Sequence, residues 1–181
     1  MKKNLFLFIL ISFTQTGFAQ NFITKNGKIS FFSKTPLENI DAINNQAASV
    51  INSNTGELVF SVLINGFLFK KAQMQEHFNE DYLESTKFPK ATFSGKITDL
   101  GNINFTKDGK YTVSVTGNLT LHGVTNNLAT TANITVKGKT LLANTEFAVS
   151  PADYKISIPK IVESNIARSI EIKIDCNYIA R

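Results

Sequence analysis

Residues 111–121 read Tyr-Thr-Val-Ser-Val-Thr-Gly-Asn-Leu-Thr-Leu and alternate without a break. Tyr111, Val113, Val115, Gly117, Leu119 and Leu121 fall on one side. Thr112, Ser114, Thr116, Asn118 and Thr120 fall on the other. Strand side chains change face at every residue, so this segment has one apolar and one hydrated surface. That is the pattern of a half-buried antiparallel strand. A sheet of such strands wraps around something apolar, and the functional question is whether side chains or a ligand fill it.

The same alternation recurs on both flanks. Lys28–Ser33 predicts a first strand, and Ala47–Asn52 with Glu57–Ile64 predicts a hairpin joined by Ser53-Asn54-Thr55-Gly56. Ala91–Thr98, Leu128–Lys137, Lys139–Val149 and a closing segment from Ile166 to Ile179 alternate as well. Pro36–Asn45 reads as a turn with a short helix, Asn65-Gly66 as a bulge or close backbone approach, and Ser150–Pro159 as irregular. One helix is expected over Ala72–Leu83, where Met74, Phe78 and Tyr82 form an apolar stripe, with Phe88-Pro89 marking its end. Short connections favour antiparallel, up-and-down neighbours. Eight such strands leave two exposed sheet edges unless the sheet closes into a barrel. A two-sheet sandwich gives the same periodicity.

The N-terminus precedes this pattern. Met1-Lys2-Lys3, an apolar run from Leu5 to Phe13 and Gly17-Phe18-Ala19 read as a secretory signal peptide cleaved near Ala19. The apolar run is shorter than the ~20 residues of a membrane helix. The expected domains are therefore a signal peptide at 1–19 and a barrel domain at 20–181, exported to the periplasm or secreted. Without Lys2 and Lys3, 17 basic face 14 acidic side chains, a net +3. The lysines are scattered and Arg168 and Arg181 are the only arginines, which argues against nucleic-acid binding. A single cysteine, Cys176, rules out an internal disulfide, and its place among Ile170, Ile172, Ile174 and Tyr178 makes it a small buried hydrophobe.

Four segments resemble the YceI family of bacterial, lipocalin-like, polyisoprenoid-binding proteins. They are ELVFSVLINGFLF (57–69), MQEHFNEDYLESTKFPKATF (74–93), GNLTLHGVT (117–125) and DYKISIPKIVESNIARSIEIKID (153–175). GNLTLHGVT is the most specific of them. The resemblance implies an all-β, eight-stranded antiparallel lipocalin-like barrel with one helix packed beside it. It also implies periplasmic export and a long apolar tunnel that holds an isoprenoid chain.

The inward stripe supplies ten candidate tunnel residues: Phe31, Phe60, Val62, Ile64, Phe93, Val113, Val115, Leu119, Phe147 and Ile172. Phenylalanine is abundant, at 15 of 181 residues, and can line a tunnel without a polar atom to satisfy. The inward glycines Gly95 and Gly117 read either as space for a ligand or as the demand of a sharply coiled sheet. His77, Lys71 and Lys87 are the candidates for a ligand's polar head. His122, at a strand end, reads as a hydrogen-bonded turn residue. No metal-ligand spacing, nucleophile elbow or catalytic triad context is present, so no catalytic residue, metal or cofactor is expected beyond a bound isoprenoid lipid. The expected function is non-enzymatic binding, sequestration or transport of such a lipid, a quinone tail or a prenyl phosphate. The partner is an apolar small-molecule lipid, with transient membrane-surface contact and a homodimer both compatible. A packed barrel that docks a protein or membrane partner is the alternative.

Overall fold

The computed structural model describes residues 20–181, so the expected signal peptide lies outside the described residues. The alternating segments become β1 (Asn21–Lys34), β2 (Asn39–Asn52), β3 (Glu57–Leu63), β4 (Leu68–Phe69), β5 (Lys90–Ile97), β6 (Gly109–Leu121), β7 (Val124–Lys137), β8 (Thr140–Val149) and β9 (Ile170–Ala180). Eight of them form a ring in the order β1-β9-β8-β7-β6-β5-β3-β2, and β2 returns to β1. Every pair in the ring is antiparallel. The fold is therefore the closed lipocalin-like barrel, and the unbroken ring excludes the sandwich. The two-residue β4 is extra and adds to β2 through Ala42–Phe69 and Ile43–Leu68.

Two expected elements change. Pro36–Asn45 is not a turn with a short helix, because from Asn39 onward it is already β2. The inward face of β2 carries Ala42, Asn44, Ala47, Ser49 and Ile51, and its polar members hide the period. Both are satisfied: Asn44 Nδ2 donates to the Leu63 carbonyl at 2.9 Å, and Ser49 Oγ donates to that of Val59 at 2.8 Å. β1 likewise begins at Asn21 rather than Lys28. Register shifts between Thr24 and Ile29 break its alternation, a bulge that bends the strand.

Helix α1 (Ala72–His77) runs into a π-helical turn, Phe78–Tyr82, closed by Leu83 N donating to the Phe78 carbonyl at 2.9 Å. Sequence periodicity predicted a single α-helix. Closing the turn five residues apart brings Leu83 round to the side of Phe78, so Phe78, Tyr82 and Leu83 all face the barrel interior.

The strand directions sort the connections. One end, here called lower, holds the turns at 53–56 and 138–139 and the loop at 98–108. The upper end holds the β1–β2 turn, the helical excursion at 64–89, the tight turn at 122–123 and the long segment 150–169.

Gly95 and Gly117 face each other directly across β5 and β6. A Cβ at Gly117 would lie 2.5 Å from the Ser94 carbonyl oxygen and 2.7 Å from the Phe93 ring. The pair therefore serves close strand approach under that ring rather than ligand space. Gly117→Ala should destabilise the protein by ~1–3 kcal/mol through overpacking. Gly101→Ala, where a Cβ meets nothing within 4 Å, should stay within ~0.5 kcal/mol. Urea unfolding midpoints of the two variants check this contrast.

Candidate ligand-binding cavity

Burial divides the barrel along its axis. On β7 the lower inward residues Ala132, Ile134 and Val136 are buried, while Leu128 and Thr130 above them are half-buried. On β9, Cys176 and Tyr178 are buried, while Ile170, Ile172 and Ile174 are not. Phe22, Ile51, Ile103, Phe105, Val113 and Leu141 plug the lower end, with Phe22 and Phe105 stacked at 5.6 Å. In the upper half the walls move apart. Pairing of β7 with β8 stops at Ala132–Thr145. The fork is tied by Thr145 Oγ1 donating to the Thr131 carbonyl at 2.7 Å and Thr130 Oγ1 to that of Glu146 at 3.2 Å.

A cavity of about 450 Å³ occupies the upper half, and a smaller one of about 110 Å³ lies at mid-barrel against the fork, where Leu128, Thr130 and Thr145 line it. Ile29, Val62, Ala91, Leu119 and Phe147 line both, so the two are successive chambers along the axis. The larger is within the ~300–1,000 Å³ range of ordinary ligand pockets. Of the ten candidates, Phe31, Val62, Ile64, Leu119, Phe147 and Ile172 line the upper chamber. Phe60, Phe93 and Val115 join Val62, Leu119 and Phe147 around the lower one. Val113 lines neither and packs in the lower plug.

Two excursions roof the upper chamber. The helical one contributes Met74, Phe78, Tyr82 and Leu83, and segment 150–169 contributes Ile156, Ile158, Val162 and Ile166. Phe78 fixes the first to the wall by packing on Phe31, Phe67 and Phe69, with ring centroids 5.3, 5.6 and 5.0 Å away. Segment 150–159, expected to be irregular, is so only from Lys155 onward, because Pro151–Tyr154 forms a 3-10 turn, and the reading missed these roof residues. The alternation of Ile156 and Ile158 was their only signal.

The polar lining is sparse. Lys71 Nζ lies 3.3 Å from Glu38 Oε1, and Asn165 Nδ2 donates to Glu38 Oε2 at 3.2 Å. His77 Nδ1 lies 2.6 Å from Asp81 Oδ2. Burial and the Asp81 carboxylate hold the Tyr82 phenol above its ordinary range, so it lines the chamber neutral. Lys87 does not reach the chamber: it lies over the Phe88 ring at 4.9 Å and 3.7 Å from Glu84. Among the described residues, no group of three or more His, Cys, Asp or Glu could hold a metal ion. Nor is any described helix long and apolar enough to cross a membrane.

His122 clasps the two roof excursions together. Nδ1 meets the Tyr154 carbonyl at 3.1 Å and Nε2 meets Glu84 Oε2 at 2.8 Å, with the ring edge-on to Phe88 at 4.6 Å. Both ring nitrogens face oxygen acceptors, one on each excursion. Glu84, His122 and Lys155 are the non-glycine residues with positive φ among the described ones; the first two bond each other in the clasp and Lys155 directly follows Tyr154. Left-handed backbone at such residues persists only where surrounding contacts over-determine it. The turn-residue reading of His122 therefore understates it.

The geometry defines a lipocalin-like barrel with an apolar internal chamber and a roof. A YceI-like domain model matches residues 11–178, and the chain belongs to that family. No curated protein matches it. A polyisoprenoid binding domain from Saccharophagus degradans, implicated in plant cell wall breakdown, shares the fold with a TM-score of 0.77 at 15% identity. That match covers 90% of this chain and 99% of that one. Burkholderia cenocepacia BcnA matches with a TM-score of 0.70 at 16% identity over 84% and 95% of the two chains. The Campylobacter jejuni YCEI protein gives 0.55 at 19% identity over 73% and 78%. At these identities the likeness is one of fold.

Two predictions follow from the clasp and the plug. His122→Asn keeps a residue that tolerates positive φ but cannot span both partners. Hydrogen exchange across 150–158 should accelerate at least ~10-fold, as local opening costs less, while Val113 and Val136 stay protected. In the plug, burial pushes the Cys176 thiol up to about 11 from 9.0, and burial raises the Tyr178 phenol as well. A raised acid stabilises the fold fully below its unfolded value, and that contribution is lost as pH climbs through the folded one. Thermal midpoints should therefore fall as pH rises from 9 toward 11, less steeply in Cys176→Ala.

Proposed function

We propose that this protein binds an isoprenoid-type lipid without chemical turnover, holding the chain in the hollow half of the barrel for sequestration or carriage. The observation that carries this reading is the apolar chamber of about 450 Å³, with a second of about 110 Å³ below it that shares Ile29, Val62, Ala91, Leu119 and Phe147 as walls. The polyisoprenoid binding domain from Saccharophagus degradans, with the same fold, points the same way. Burying ~300–400 Å² of prenyl chain contributes roughly 8–10 kcal/mol gross at ~25 cal/mol per Å². Lost ligand freedom subtracts several kcal/mol from that. A solid interaction module is disfavoured, since the inward residues of the upper half are only half-buried. Export to the periplasm belongs to the same proposal and rests on residues 1–19 of the sequence.

The charge balance of the lining narrows the head group. Lys71 is matched by Glu38 and His77 by Asp81, which leaves no net cation for a phosphate. An anion buried without a countercharge carries a large desolvation penalty. Tyr82, Gln73 and Asn165 are neutral hydrogen-bonding groups that suit a quinone carbonyl or an alcohol. The favoured ligand is a neutral-headed prenyl lipid.

Native mass spectrometry of gently purified protein, followed by titration with a long-tailed quinone, the matching prenol and the matching prenyl phosphate, tests this. The neutral ligands should bind at least ~10-fold tighter than the phosphate, a difference of ~1.4 kcal/mol. Lipid-free extracts together with no binding of any of the three would sink the reading.

A further inference from the structure

The fold leaves two aliphatic side chains in water beside the roof of the chamber. Ile161, in the 3-10 turn Lys160–Asn165, is 90% exposed, and Leu37, in the β1–β2 turn, is 69% exposed. These two turns are neighbours. Asn165 Nδ2 donates to Glu38 Oε2 at 3.2 Å, and Ala167 N donates to Ser33 Oγ at 2.8 Å. Glu38 and Val162, each next in sequence to one of the aliphatic tips, line the chamber. The tips therefore stand at its rim.

Charge accompanies each tip. Lys34 lies three residues before Leu37, and Lys160 immediately before Ile161. Lys70 is matched by Asp41, Lys71 by Glu38 and Arg168 by Glu163. Among the described residues, Lys34 and Lys160 pair with no carboxylate, nor does Lys155, on the far side of the same segment from Lys160. Each turn thus presents one bare aliphatic side chain and one unmatched ammonium.

We propose that this rim docks on an anionic lipid bilayer, with Leu37 and Ile161 among the upper acyl chains and Lys34 and Lys160 on lipid phosphates. The proposal rests on the chamber's reading as a lipid site in one respect, that a lipid with negligible solubility in water changes hands at a membrane. The surface itself stands on exposure and charge. A second copy of the chain fits it less well. Two side chains fall far short of the ~1,200–2,000 Å² that a stable interface buries. A bilayer needs no complementary shape, and each lysine near an anionic surface strengthens partition about fivefold. The expected attachment is weak and reversible, which suits a carrier that must leave.

Co-flotation of the ligand-free protein with phosphatidylcholine vesicles, with and without phosphatidylglycerol, tests the docking. Binding should need the anionic lipid and fade at 1 M salt, where the Debye length is about 3 Å. Ile161→Asp and Leu37→Asp should each weaken it at least ~10-fold. Their high exposure makes unchanged thermal midpoints the expected control. The same variants should load a quinone normally from detergent but slowly from vesicles. Wild-type protein that loads from detergent yet ignores anionic vesicles overturns the docking and leaves the chamber's reading intact. Vesicle binding without quinone binding from either source overturns the chamber's reading and keeps the docking. A dimer abolished by Ile161→Asp, with vesicle binding unchanged, overturns the docking in favour of a second copy.

Discussion

Ring closure through β1 is the constraint on which the rest depends. This strand pairs with β2 along one edge and with β9 along the other, so it carries both ends of what would otherwise be an open sheet. Fourteen residues in length, it follows the barrel's curvature only by bending, and both ladders shift register between Ile23 and Ile29. Gly27 sits at that bend. A Cβ there would lie 2.6 Å from Cys176 Sγ and 3.1 Å from the Ala47 carbonyl oxygen, so the neighbouring strands press against bare backbone. Closure satisfies the edge hydrogen bonds internally and gives every inward side chain a common interior.

That interior is divided because the strands do not treat its two ends alike. Below, the 98–108 loop turns Ile103 and Phe105 inward to meet Phe22, and Tyr178 OH donates to Ser49 Oγ at 2.9 Å across the floor. Above, β7 and β8 part and long excursions take over from tight turns. Stability and access are thereby assigned to different places. The plug has dense apolar packing of the kind that opens only on global unfolding. The roof rests on the phenylalanine cluster at Phe78 and the His122 clasp, a small set of contacts of the kind that opens locally.

Much of this was legible in the chain. The strict alternation of 111–121 needed only the period of two to place β6, and the Met74, Phe78, Tyr82 stripe placed the helix on the barrel. What stayed hidden did so for identifiable reasons. β2 concealed its period because Asn44 and Ser49 point inward and are matched by carbonyls and a phenol far away in sequence. Periodicity assigns a side chain to a face but not to a height. Val113 and Leu119 therefore looked equivalent in sequence, although one packs in the plug and the other lines the chamber. Lys71 and Lys87 bracketed the helix alike, yet Lys71 lines the chamber while the chain turns Lys87 away over Phe88. The roles of Glu84, His122 and Tyr154 needed three distant segments brought together.

A chamber of this kind carries an energetic consequence for the protein that owns it. Side chains facing an empty space lose dispersion partners, so a hollow half is bought with forfeited packing. The plug and the unbroken ring make that loss tolerable, because neither depends on what the chamber holds. Any chain that fills the space restores contacts to Phe31, Leu119, Phe147 and Ile172 together, and so binds the folded state in preference to the unfolded one. Affinity then grows with the length of chain inside and stops growing where the chain meets Phe60, Phe93 and Val115 around the lower chamber. For any such chain, discrimination along the axis is then a matter of fit, and inside the chamber the polar lining offers a head group only matched charges, Lys71 with Glu38 and His77 with Asp81.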